Sequence, residues 1–191
     1  MKARVALLCF CVLSAPARAQ DLPDLETCLD AYMADYDWRL EVTGDQPLED
    51  VEGGIWHPEE VANCVTMAIM ICDESATPYA CQRDLAAREA ALAETIRAGL
   101  PAPDRDGTGW AERLYAQTHD LAQGISAGDD CAGTRDPMLS WCMAREEGNR
   151  LRDAVDAWQV AQYLGLVPPA VEAGWADPPS PRRPPPRPEG R

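Results

Sequence analysis

Cysteine is the residue with the most chemistry to offer in this chain of 191 residues, at Cys9, Cys11, Cys28, Cys64, Cys72, Cys81, Cys131 and Cys142. Its use depends on the compartment. The opening MKARVALLCFCVLSAPARAQ has basic Lys2 and Arg4, an apolar stretch from Val5 to Leu13 and small residues at Ala17 and Ala19, the make-up of a secretory signal peptide cut after Ala19. Cys9 and Cys11 would leave with it. Leu8 precedes Cys9 and Phe10 precedes Cys11, so neither follows the small residue that lipoprotein cleavage requires. The remaining six, an even number in an exported chain, predict three disulfides and a periplasmic or secreted protein. Zinc is the competing use, but no two cysteines have C-x-x-C spacing and only His57 and His119 could join them.

Other reactive groupings are weaker. Asp104 to Gly109, DRDGTG, opens like a calcium loop, yet Tyr115 stands at position 12 where a bidentate Glu is needed. An inter-helix turn is the expected reading. His119-Asp120 has the make-up of a base with its orienting carboxylate, but on an exposed acidic helix face and with no nucleophile alongside it predicts no activity. Glu59-Glu60 and Glu146-Glu147 are adjacent in sequence, so each pair points to different sides of a helix and reads as solvated surface. No catalytic residue, metal or cofactor is assigned, and the chain is not expected to be an enzyme.

Charge limits the partners. The chain has 17 Lys and Arg against 32 Asp and Glu; loss of Lys2, Arg4 and Arg18 with the signal leaves 14 − 32 = −18. Within that, WADPPSPRRPPPRPEGR carries four Arg against Asp177 and Glu189, so residues 20–174 stand at 10 − 30 = −20. Such a surface repels phosphates, which argues against nucleic acid and favours a cationic protein partner, the competing reading being a solvated acidic surface that only maintains solubility. The polar, irregular stretches Asp45 to Glu60 and Asp129 to Asp136 are the candidate contact segments, with Asp45, Glu49, Asp50, Glu52, Asp129, Asp130 and Asp136 as partner-binding residues. No stretch is long and apolar enough for a transmembrane segment.

Helical periodicity supplies the elements that would position these groups. Leu25, Cys28, Leu29, Tyr32, Met33 and Tyr36 recur at i, i+3, i+4, i+7, predicting a first amphipathic helix, followed by the loop EVTGDQPLEDVEGGIW. His57-Pro58-Glu59-Glu60 reads as a helix start, with proline at the first position and carboxylates in the first turn. That helix would continue through CVTMAIMIC, residues 64 to 72. Without strand partners elsewhere, this uncharged run is read as a helix apolar on every side and therefore buried among others. In a helix Cys64 and Cys72 stand about 12 Å apart, beyond the roughly 7 Å a disulfide spans, so each must reach another element. A third helix is expected from Thr77-Pro78 to Gly99 and Pro101, with the stripe Leu85, Ala86, Ala90, Leu92, Ala93 and Ile96. A fourth is expected from Trp110 to about Ser126, with Leu114, Leu121 and Ile125 inward. A long fifth runs from about Met138 to Leu164, with Leu139, Cys142, Met143, Leu151, Ala154, Val155 and Trp158 inward, and is stopped by Gly165 and Pro168. Prolines from Pro168 to Pro188 predict a disordered tail over 168–191. It contains Arg182-x-x-Pro185-x-x-Pro188, formally an SH3-ligand pattern.

The cysteine framework resembles the LprI-type lysozyme-inhibitor family, in particular its alphaproteobacterial members. That family carries a C-L helix, then C-I-G-x5-C, then C-x-x-E-x-x-x-W-D-x-x-L-N-x-x-Y, then two cysteines around a glycine-containing loop. Cys28-Leu29, Cys64 to Cys72, Cys81 onward, and Cys131 and Cys142 with Gly133 are similar to these in turn. Asp84, Glu89 and Leu92 fall on the acidic and leucine positions, while Arg88, Ala93 and Ile96 replace the tryptophan, asparagine and tyrosine. The resemblance implies a binding module that inhibits a cationic lysozyme by occupying its cleft.

The sequence thus predicts an all-α, disulfide-bonded helical bundle of about four or five helices over residues 20–167. Cys131–Cys142 and Cys72–Cys81, which close short loops, are the preferred bridges. The alternative function is a structural or adaptor role in the cell envelope, with the proline-rich tail as tether.

Overall fold

Asp24 starts the first helix, α1 (Leu25–Thr43), by accepting the Thr27 N–H on its carboxylate at 2.8 Å. Its buried residues are Leu25, Leu29, Tyr32, Met33 and Tyr36, the predicted stripe. The helix runs further than expected, so Glu41, Val42 and Thr43 are helical rather than loop, and Gly44, at φ 58°, ends it. The computed structural model describes residues 22–44, 46, 56–125, 131–135 and 138–178. The expected signal segment and the SH3-like pattern lie outside the described residues.

Pro58 opens α2 (Pro58–Asp73) and Pro78 opens α3 (Pro78–Gly99), each within the first turn where the missing N–H costs no helical hydrogen bond. α4 (Trp110–Asp120) passes into a π-helical turn, Leu121–Ile125, which Gly124 closes at φ 85°. The helical stretch thus reaches Ile125, close to the predicted end, but its last turn is π-helical and Leu121, expected inward, is exposed. Tyr115 is buried in its place and donates its hydroxyl to the Pro101 carbonyl at 2.6 Å. α5 (Met138–Tyr163) is followed by a single turn, α6 (Ala170–Ala173). Every regular element among the described residues is helical.

The three bridges are Cys28–Cys64, Cys72–Cys81 and Cys131–Cys142, with Cα separations of 5.6, 5.2 and 5.8 Å. Cys64 and Cys72 thus serve different neighbours: one ties α2 to α1, the other ties it to α3. The central rod, however, is α5 and not α2. Thirteen α5 residues are buried against six of α2, and the outer side of α2 exposes Thr66, Met70 and Ile71. Apolarity on all sides does not bury a helix that has neighbours on one side only.

α3 and α5 run parallel: Ser140 donates to Gln82 Oε1 at 2.8 Å near their starts, and Gly99 meets Trp158 near their ends. Small residues permit the approach. A Cβ on Gly99 would stand 2.8 Å from the Trp158 ring, and one on Gly148 would run into the Val65 side chain of α2. The α3 stripe is Gln82, Leu85, Ala86, Glu89, Ala93 and Ile96; the predicted Ala90 and Leu92 are only half-buried. On α5, Leu151, Ala154, Val155 and Trp158 are inward as expected, but Met143 is exposed, and Ser140, Ala144 and Gly148 fill the contact.

Residues beyond 167 are not uniformly excluded from the bundle. Val167 and Ala170 are buried, the Trp158 indole N–H donates to the Pro168 carbonyl at 3.2 Å, and Trp175 packs edge-on against Trp158 at 5.6 Å. Gly165, at φ 69°, closes the end of α5, and Pro168 and Pro169 deliver the chain into α6, since proline is compatible with a helix start.

Candidate functional site

All seven acidic residues expected to bind a partner, Asp45, Glu49, Asp50, Glu52, Asp129, Asp130 and Asp136, lie outside the described residues. Their anchors are described. Tyr163, on the last turn of α5, donates its hydroxyl to the Gln46 carbonyl at 3.2 Å and packs edge-on against Trp56 at 6.0 Å. Trp56 also meets Trp110 at 6.3 Å, and the next residue, His57, donates its backbone N–H to the Tyr32 hydroxyl at 3.3 Å. Both ends of the first segment therefore rise from one aromatic cluster. The second segment is pinned by Cys131–Cys142 at the other end of α5. From Cys142 to Tyr163 the helix advances about 30 Å, so the two segments have separate footings.

The described surface has a groove of about 330 Å³ between α1, α3 and the segment after α6. Leu25, Leu29, Ala91, Leu92 and Trp175 give it an apolar lining, and Glu26, Asp30 and Arg88 give it charge. Arg88, standing where the resemblance places tryptophan, pairs with Glu26 across the helices at 2.7 Å. Asp30 accepts the Asp177 N–H at 2.9 Å. Burial, together with Asp177, Asp24 and Glu26 nearby, holds the Asp30 carboxyl above the usual range against that one hydrogen bond. Sequence periodicity missed this groove because its third wall comes from a stretch read as tail. The lone Trp175 ahead of the prolines was the available signal.

A second groove of about 390 Å³ lies over the Cys28–Cys64 bridge, lined by Tyr32, Asp35, Arg39 and Glu60 among others. Beneath it the α1–α5 seam is polar. Tyr32 donates to Gln159 Oε1 at 3.2 Å, Tyr36 to the Gln159 carbonyl at 2.6 Å, and Gln162 to Asp37 at 2.7 Å. Burial raises both tyrosine hydroxyls far above their ordinary range, so they are neutral donors.

Two carboxyls lack such partners. Glu89 is fully buried with neither oxygen hydrogen-bonded, and burial pushes it up to about 8 against the pull of Arg88. Asp156 has one buried unpaired oxygen, and burial pushes it up to about 7.

The remaining candidates have partners within the fold. His119 is largely covered, contrary to the exposed face expected: it packs edge-on against Tyr115 at 5.8 Å, with Nδ1 3.9 Å from Asp120. Arg105 takes both Asp120 oxygens at 2.6 and 3.1 Å and holds that carboxyl below its usual range. In the DRDGTG turn the Asp104 carboxylate accepts the Asp106 N–H at 3.0 Å. Glu146 and Glu147 converge on Arg150 instead of pointing apart. No cluster of three or more His, Cys, Asp or Glu suited to a metal ion occurs among the described residues.

Comparison of the chain with family models, with curated proteins and with solved structures finds no match. The case for function therefore rests on the chain's own charge and architecture.

Proposed function

We propose that this protein is an exported binding module for a cationic protein, without catalytic activity of its own, and that lysozyme inhibition by cleft occupation is its activity. The observation that carries this reading is the charge excess, 32 acidic against 17 basic residues, on a helical scaffold bridged by three disulfides. The cysteine spacing shared with the LprI-type inhibitors adds the choice of lysozyme. An anionic module speeds encounter with a cationic partner and weakens as salt rises.

The test is a turbidity assay of lysozyme on cell walls, run with and without the protein at low and moderate salt. Inhibition at micromolar protein, weakening steeply with salt, is expected. Full lysozyme activity at every concentration would remove the inhibitor reading. The envelope adaptor role would then take its place.

A further inference from the structure

We infer that the groove between α1 and α3 is the seat of the chain's own C-terminal arginine–proline segment, residues 179–191. The described chain ends at the mouth of this groove. Trp175 forms part of its wall, and Asp177, two residues later, is hydrogen-bonded to Asp30 on its rim. Beyond Pro178 the sequence is PSPRRPPPRPEGR, with Arg182, Arg183, Arg187 and Arg191 against the single Glu189.

The groove and the segment are complementary in charge and composition. Proline-rich chains dock on aromatic-lined apolar grooves, and here Trp175, Leu29 and Leu92 supply such a lining. Glu26, Asp30 and Asp177 gather carboxylates there, and the nearby cation, Arg88, is already engaged by Glu26. An incoming guanidinium meets Asp30 and Asp177 with little competition. The 13 residues after Pro178 extend to about 40 Å in polyproline geometry, ample for a groove that starts where they start. Covalent attachment at the groove's edge makes the encounter intramolecular, with an effective concentration on the order of millimolar. Contacts too weak to hold a free peptide therefore suffice.

The test compares amide NMR spectra of the full chain with those of the full chain carrying Arg182→Glu, Arg183→Glu and Arg187→Glu. None of the three belongs to a helix of the described bundle, and the fold is monitored by the unchanged amides of α4 and α5. The expected result is shifts at Leu29, Leu92 and Thr95, distant in sequence from the substitutions. The same amides of the unsubstituted chain should move the same way as salt is raised to about 0.5 M. Asp30→Asn, which keeps the acceptor for Asp177 but removes the charge, should move them too. Three outcomes overturn the inference: no shift at these amides, shifts confined to another face, or shifts that depend on protein concentration and so report a second copy.

Discussion

Glu89→Gln isolates the energetic role of the buried carboxyl between α3 and α5. In the folded protein burial lifts this group from 4.5 to about 8, with Glu147 and Glu26 adding repulsion and Arg88 opposing. Below pH 4.5 the folded and unfolded chains both carry the proton, and the fold has its full stability. Between 4.5 and 8 the unfolded chain releases the proton while the folded chain keeps it, so stability falls as pH rises. The interval of 8 − 4.5, at about 1.4 kcal/mol per pH unit, sets a ceiling of about 5 kcal/mol. Glutamine keeps the shape and cannot ionise. The variant should stand within about 1 kcal/mol of the parent at pH 5 and exceed it by about 3 kcal/mol or more at pH 8, which for a chain of this size is a melting temperature about 6–12 °C higher. Net repulsion in so acidic a chain also grows with pH, so the parent's own decline is not diagnostic; the difference between the two proteins is. Thermal melts by circular dichroism at pH 5, 6, 7 and 8, disulfides intact, supply it. Parallel curves, or a glutamine variant less stable at pH 8, would refute the burial of an ionisable Glu89 as described.

Further perturbations test other parts of the fold. Gly148→Ala should destabilise by about 1–3 kcal/mol, because the added methyl enters Val65; in an open helix the same change stabilises by up to about 1 kcal/mol, so the sign of the shift in urea midpoint decides. Loop-closure entropy ranks the bridges. Cys28–Cys64 spans 36 residues and the others 9 and 11, so paired Cys→Ala replacement should cost about 4 kcal/mol for the first and about 3 for each of the others. Denaturant melts of the three double variants check the order. Trp175→Ala should cost about 1–3 kcal/mol through the lost contact with Trp158, read as a lower melting temperature; a segment independent of the bundle would leave it unchanged.

The first helix was legible because its large apolar residues keep strict helical spacing, and the short bridges were legible because two cysteines nine or eleven apart across a turn have few alternatives. The central position of α5 was not. Of its thirteen buried residues, seven, namely Ser140, Ala144, Gly148, Asp153, Ala157, Gln159 and Gln162, are small or polar and stand beside the predicted Leu151, Val155 and Trp158. Such residues are buried for close approach and specific hydrogen bonds, which hydrophobic periodicity does not register. α2 misled in the opposite direction, since uniform apolarity removes the contrast that shows which side faces the core. The candidate site was legible as charge but not as place: the acidic segments are visible in composition, whereas the groove needs α1, α3 and Trp175 brought together.

The covalent and non-covalent parts of the bundle divide along α5. Cys28–Cys64 and Cys72–Cys81 chain α1, α2 and α3 together, while Cys131–Cys142 ties α5 to the turn before it. Among the described residues, no bridge joins the first three helices to α5, and that interface is held by Gln82–Ser140, the Gln159 contacts and the packing at Gly99 and Gly148. Glu89 lies on the α3 face toward α5, and Asp156 is on α5 with Glu59 of α2 among its repelling neighbours. Ionising either therefore strains the interface that no disulfide secures. Raising pH with the bridges intact should release α5 from α1–α3 before the three linked helices lose one another. Amide exchange at pH 8 should then protect α5 less than the α2–α3 pair, whereas reduction at pH 5 should weaken the linked helices first. Uniform loss of protection in both conditions would show that the bundle opens as a single unit, with no such division.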